Sequence, residues 1–244
     1  AIIDYNQAIQ LNPNLINSYI NRGFLRRKLS DTQGAIEDYN QAIKLNPDYA
    51  NAYYNRAFPR SKSGDTQGAI EDCTQAIKLN PNYAEAYKLR AAIRLDMGDN
   101  GAIEDCNQTI KLNPNYDSAY YMRGEIRNKL GDKKGAFEDY TQAINLNPNN
   151  NNGAIYYDRG FLRNELGDKI GAIEDYTQAI KLNLNNAIAY YSRGILLSEL
   201  GEKKLAIEDF QNAANIYRNL GQIEYCNLAQ AKIKSLQQRK SWFG

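Results

Sequence analysis

The segment Ala69–Pro81, AIEDCTQAIKLNP, constrains this chain more than any other feature because the chain repeats it. Near copies begin at Ala1, Ala35, Ala102, Ala136 and Ala172, with a degraded copy at Ala206. Their spacings are 34, 34, 33, 34, 36 and 34 residues. Self-similarity at this period marks a stack of small units, none of which can bury its apolar face alone. The 244 residues are therefore expected to form one array rather than one or two globular domains.

One full unit, residues 50–83, shows what is stacked. Numbered 1 to 34, it keeps small or apolar residues at 3, 4, 8, 10 and 14 and again at 20, 21, 24, 27, 28 and 30. Both sets follow a helical period. Gly-Asp at 15 and 16 supplies a helix stop followed by a helix start. Asn-Pro at 31 and 32 closes the second helix, because proline disfavours helical geometry in the residue before it. Each unit reads as helix A, turn, helix B, turn.

These slots carry a resemblance. In one unit Tyr53, Ala57, Gly64, Ala69, Cys73, Ala76 and Pro81 occupy positions 4, 8, 15, 20, 24, 27 and 32. In another Tyr120, Gly124, Gly131, Ala136, Tyr140, Ala143 and Pro148 do so. The pattern resembles the tetratricopeptide repeat family over about nine-tenths of the chain. The resemblance implies an all-α, right-handed superhelical solenoid of stacked antiparallel helix pairs. Residues 1–15 would be helix B of a truncated first repeat, 16–218 six helix pairs, and 219–244 a capping helix and tail. In the cap, Ile223, Ala229, Ile233 and Leu236 are expected to cover the last repeat. Helix B at the start, with Tyr5, Ala8 and Ile9, lacks its usual cover, so the chain reads as a fragment or as a face that recruits another molecule.

Three departures concern shape. Pro59 falls inside a helix A and should bend it. The run Asn149–Asn152 lengthens one turn by two residues, and Leu184 replaces a proline and should soften that stop.

Composition narrows the chemistry. Thirty basic and 28 acidic residues are too balanced to indicate nucleic acid or an anionic membrane. There is no histidine, which removes imidazole bases and common zinc motifs. Cys73, Cys106 and Cys226 lack metal-ligand spacing and read as buried thiols in a reducing, cytoplasmic setting. No apolar run reaches membrane-spanning length. No nucleophile–base pair, phosphate loop or metal cluster is visible, so neither an enzyme, a cofactor nor a metal is expected.

In the family, an arc of helix A formed by positions 2, 5, 6, 9, 12 and 13 lines a groove that holds peptides. These positions span about 120° on a helix. In repeats 2 and 3 the arc offers Asn17, Asn21, Phe24, Arg27, Lys28 and Asn51, Tyr54, Asn55, Phe58, Lys62, with bases and no acid. Repeats 4 and 5 offer Lys88, Tyr121 and Glu125 among mixed charges. Repeats 6 and 7 offer Tyr157, Asp158, Phe161, Glu165, Tyr191 and Glu199, with acids and no base. The arc thus suits a ligand acidic at one end and basic at the other. A family carboxylate clamp is not expected, since position 5 is mostly Tyr and position 9 mostly Phe. An asparagine ladder at position 6 stops after Asn55.

Position 7 is Arg in every full repeat: Arg22, Arg56, Arg90, Arg123, Arg159 and Arg193. Position 11 adds Arg26, Arg60, Arg94, Arg127 and Arg163. Both point away from the arc, towards helix B, where position 23 is always Asp: Asp38, Asp72, Asp105, Asp139, Asp175 and Asp209. An internal Arg–Asp ladder is therefore expected instead of a phosphate-binding stripe. The leading function is a non-enzymatic scaffold that binds a protein or peptide in the groove. Open alternatives are a homo-oligomer formed through the first helix or the groove, a nucleic-acid binder, and the recruitment arm of a longer enzyme.

Overall fold

The computed structural model describes residues 1–149 and 153–238; Asn150–Asn152 of the run Asn149–Asn152 and the SWFG tail lie outside them. The described residues form 14 α-helices and no strand. They divide into two compact units. Unit 1, Ala1–Leu130, holds α1 (Ile2–Leu11), α2 (Ile16–Lys28), α3 (Thr32–Leu45), α4 (Ala50–Lys62), α5 (Thr66–Leu79), α6 (Ala84–Asp96), α7 (Ala102–Leu112) and α8 (Asp117–Lys129). Unit 2, Gly131–Gly244, holds α9 (Lys133–Leu146), α10 (Ala154–Glu165), α11 (Lys169–Leu182), α12 (Ala187–Glu199), α13 (Lys203–Asn219) and α14 (Ile223–Gln238). The division falls within repeat 5, between its helix A (α8) and helix B (α9). Short turns make successive helices antiparallel neighbours within each unit.

Several helix B boundaries have a side-chain cause. At the start of helix B, Asp31, Asp65 and Asp168 accept a hydrogen bond from the N–H three residues on, at 2.9, 3.0 and 2.8 Å. The preceding residue has positive φ. Gly64, Gly167 and Gly201 adopt it freely, whereas Ser30 does so at φ 65° against its Cβ. At the end of helix B, Asn46, Asn80, Asn113 and Asn183 each turn the side-chain oxygen onto the N–H two residues on, at 3.0–3.2 Å. This corrects the expectation for Leu184: α11 stops at Leu182 like its counterparts, because Asn183 makes the stop and the following proline is dispensable. Pro59 does not interrupt α4, which keeps the 13-residue length of α2, α6, α8 and α12 with Pro59 buried inside it.

Packing follows a volume rule between positions 8 and 24. Where helix B offers an aromatic, helix A has glycine. A Cβ on Gly23 would come within 2.9 Å of Tyr39, one on Gly160 within 3.0 Å of Tyr176, and one on Gly194 within 3.1 Å of Phe210. Where helix B offers the smaller cysteine, helix A has alanine: Ala57 packs with Cys73 and Ala91 with Cys106. All of these are buried, and burial pushes the Cys73 thiol up to about 12. None of the described cysteines forms a disulfide.

The terminal helices differ. α1 has no buried residue, with Tyr5, Ala8 and Ile9 only half-covered. α14 seats Cys226 and Ala229 on α13, with Leu236 also buried. Ile223 does not join them, contrary to the sequence expectation. It is 57% exposed, since the covering stripe is phased on Cys226 and Ala229 instead.

Candidate functional site

The arginine layer accounts for every position-7 Arg whose partners lie in its own unit. Arg22 grips the Asp38 carboxylate through Nε at 3.0 Å and Nη2 at 2.5 Å. Arg56 binds Asp72 at 2.9 and 2.5 Å, and Arg90 binds Asp105 at 2.9 and 2.6 Å. In unit 2, Arg159 binds Asp175 at 2.9 and 2.7 Å and Arg193 binds Asp209 at 2.8 and 2.7 Å. These forks are bidentate, and each aspartate is nearly fully buried. The Asp38 and Asp209 carboxylates hold Arg22 and Arg193 above the usual guanidinium value. Arg123 and Asp139 lie on opposite sides of the unit division; Arg123 is half-buried on α8 and Asp139 buried on α9.

Each position-7 Arg also reaches backwards. Its Nη1 donates to position 25 of the preceding helix B: Asn6 for Arg22, Asn40 for Arg56, Thr74 for Arg90, Asn107 for Arg123, Thr141 for Arg159 and Thr177 for Arg193, at 2.6–3.3 Å. Sequence reasoning missed these partners, although a residue able to accept a hydrogen bond recurs at that slot. The position-11 arginines add a second contact to the same carboxylates, at 3.2 Å for Arg26, 3.1 Å for Arg60, 2.8 Å for Arg94 and 3.5 Å for Arg163. Arg26, Arg60 and Arg163 also donate to the helix B glycine carbonyl.

The helix A arc is a different surface. In unit 1, Asn17, Asn21, Phe24, Lys28, Asn51, Phe58 and Lys62 are exposed, and Tyr54, Asn55, Lys88, Tyr121 and Glu125 are half-buried. Tyr54 packs on Tyr83 with ring centres 5.0 Å apart. Lys88 donates to the Tyr116 hydroxyl at 2.8 Å, so it is tied to its neighbour. In unit 2, Phe161 is exposed and Tyr157, Asp158 and Tyr191 are half-buried. Tyr157 and Tyr191 join Ile195, Tyr217, Tyr225 and Leu228 around a largely apolar hollow of about 260 Å³. The α13 and α14 residues of this hollow were not legible from the helix A arc alone.

The charge expectation for unit 2 needs a correction: two of its three arc acids are paired from helix B, Glu165 with Lys133 at 3.1 Å and Glu199 with Lys169 at 2.9 Å. Both lysines occupy position 17, at the start of helix B, outside the arc from which charge was counted. In unit 1 that position holds Thr32 and Thr66, while Lys28 and Lys62 stand at position 13.

No group of the described residues could hold a metal ion, and no described helix is long and apolar enough to cross a membrane.

Stacked helix pairs with a side-chain ladder inside and an aromatic arc outside define a helical-repeat protein of the interaction-scaffold class. Comparison with known proteins agrees. The family described as "TPR repeat" matches residues 25–58 and 163–201, and "Tetratricopeptide repeat" matches 50–83, 117–150 and 187–220. The chain belongs to the tetratricopeptide repeat family. No curated protein sequence matches it significantly. Among solved structures it is similar to MamA, with a TM-score of 0.63 and 25% identity, covering 71% of this chain and 94% of that one. It is similar in fold to YrrB, titled "a TPR protein with an unusual peptide-binding site", with a TM-score of 0.66, 18% identity and coverage of 79% and 99%. It also shares the fold of PilF from Pseudomonas aeruginosa, with a TM-score of 0.77, 15% identity and coverage of 89% and 97%.

Proposed function

We propose that the chain is a non-enzymatic scaffold that holds an extended protein segment in a groove lined by the helix A arc. The observation that carries this reading is the recurrence of aromatic rings on a face that the fold itself does not need. Phe24, Phe58 and Phe161 are 37%, 37% and 42% exposed, while the arginine layer a turn away is consumed by internal bonds. Exposed rings recurring at one phase favour a ligand that covers them. The likeness to YrrB, a protein titled for its peptide-binding site, supports the same use.

The test is selection of peptides from a random library, followed by titration against Phe58→Ser and Phe161→Ser. Affinity should fall at least about tenfold in one or both variants with melting unchanged. Selected peptides that bind both variants as tightly as the parent would overturn the reading. Self-association is the second reading, favoured by Ile3 and Leu11 of α1, which are 78% and 80% exposed. Sedimentation over a hundredfold concentration range separates the two: only self-association raises the mass with concentration.

A further inference from the structure

Among the arc residues, Arg27 breaks the pattern twice. It is the only position-12 residue that is charged; its equivalents are Ser61, Leu95, Asn128, Asn164 and Ser198. It also has no carboxylate partner, in contrast to the laddered arginines one position before it. Its guanidinium lies 4.6 Å from the centre of the Phe58 ring and 5.2 Å from that of Phe24, held between two exposed rings by cation–π attraction. Lys28 sits 4.8 Å over Phe24 and Lys62 5.9 Å over Phe58. No carboxylate of the described residues forms a salt bridge with any of these cations.

A second, independent feature lies beneath them. The Tyr39 hydroxyl is fully buried without a hydrogen-bond partner, and so is Arg27 Nε. The guanidinium acts on that hydroxyl by its charge and at hydrogen-bonding range, against the burial that pushes Tyr39 up to about 12. With Nε buried, the terminal nitrogens are what Arg27 can offer to a ligand, and they form the planar fork that fits a carboxylate. An arginine held by two rings, over a buried hydroxyl and beside two lysines, is preorganised to receive an anion.

We infer that Phe24, Arg27, Lys28, Phe58 and Lys62 form an anchor for an acidic side chain, Asp or Glu, of a partner segment whose neighbouring apolar residues cover the two rings. The inference rests on the groove reading above and adds the chemistry recognised at one end. Its cations stand at positions 12 and 13, while position 9, where the family's carboxylate clamp needs a different residue, holds the rings of Phe24 and Phe58. Tyr39 acts as a positioning residue through Arg27.

The test is fluorescence anisotropy with a labelled peptide of alternating Leu and Glu, alongside the Leu–Gln and Leu–Lys versions. The Leu–Glu peptide should bind at least about tenfold more tightly than Leu–Gln, and Arg27→Gln should erase about tenfold of that preference. Lys62→Gln, at an exposed position that does not threaten folding, should lower Leu–Glu binding severalfold and flatten its salt dependence. Tyr39→Phe should weaken Leu–Glu alone, which a general loss of structure would not do. Equal binding of the Leu–Glu and Leu–Gln peptides, both lost in Phe58→Ala, would overturn the anchor and leave the groove reading standing. Failure of every peptide to bind the parent chain would overturn both.

Discussion

The layer between the helices and the outer arc of helix A are built from the same repeats yet follow opposite rules. Inside, one geometry recurs: an Arg fork on a buried Asp, closing at 2.5–2.7 Å from Arg22–Asp38 to Arg193–Asp209. Outside, Lys28 and Lys62 in one unit correspond to Glu165 and Glu199 in the other. The difference has a physical origin. Position 7 touches both its own helix B and the preceding one, so each copy must fit its neighbours. Most of the arc meets solvent, and there the internal fit sets no demand.

Breaking the inner layer should therefore cost stability and spare recognition. Arg56→Leu removes the fork on Asp72 and the bond to Asn40, leaving Asp72, 3% exposed, with only its contact from Arg60. Removing one partner from a buried pair costs roughly 3 kcal/mol. Urea unfolding should show that loss, while the folded fraction keeps the parent's peptide affinity. A stable variant that has lost peptide binding would place the arginines on the recognition face and erase the distinction.

A smaller effect tests whether the interior is also fixed by volume. Cys73→Tyr places an aromatic against Ala57, where Tyr39 and Tyr176 face Gly23 and Gly160 instead. Overpacking of this kind costs about 1–3 kcal/mol. Adding Ala57→Gly should recover at least about 1 kcal/mol, a coupling that a double-mutant cycle reads directly. Strict additivity would mean that the two positions are not a matched pair.

The same contrast explains what the sequence made legible. Helix pairs, turns and the register of Arg22 with Asp38 follow from phase, because a repeat fixes which residues share a face. Leu184 does not soften the stop at Leu182 as expected, since Asn183 makes the stop, a role that the recurrent Asn-Pro pair hides because the two residues occur together in the other repeats. Ile223 was misplaced because α14 departs from the repeat, and a helix with apolar residues on more than one side does not declare its buried stripe. The charge of unit 2 was misjudged for a related reason. Lys133 and Lys169 reach the arc from helix B, and contact between adjacent elements is invisible to a count made along one helix.

Those two lysines allow the smallest and most selective test. Each pair joins half-exposed or exposed side chains, so Lys133→Ala with Lys169→Ala should change unfolding free energy by no more than about 1 kcal/mol. Their removal leaves Glu165, one turn on from the exposed ring of Phe161, and Glu199 without these partners. Binding of the Leu–Lys peptide should then rise up to about fivefold at low salt, and the gain should fade as salt screens the carboxylates. Binding of the Leu–Glu peptide, anchored in the other unit, should not rise. An equal rise for both peptides would show that the lysines shield the arc by bulk and not by charge. No rise for Leu–Lys would mean that the acids of unit 2 contribute nothing to recognition. In that case the contrast between inner layer and outer arc would hold for unit 1 alone, where Lys28 and Lys62 occupy position 13.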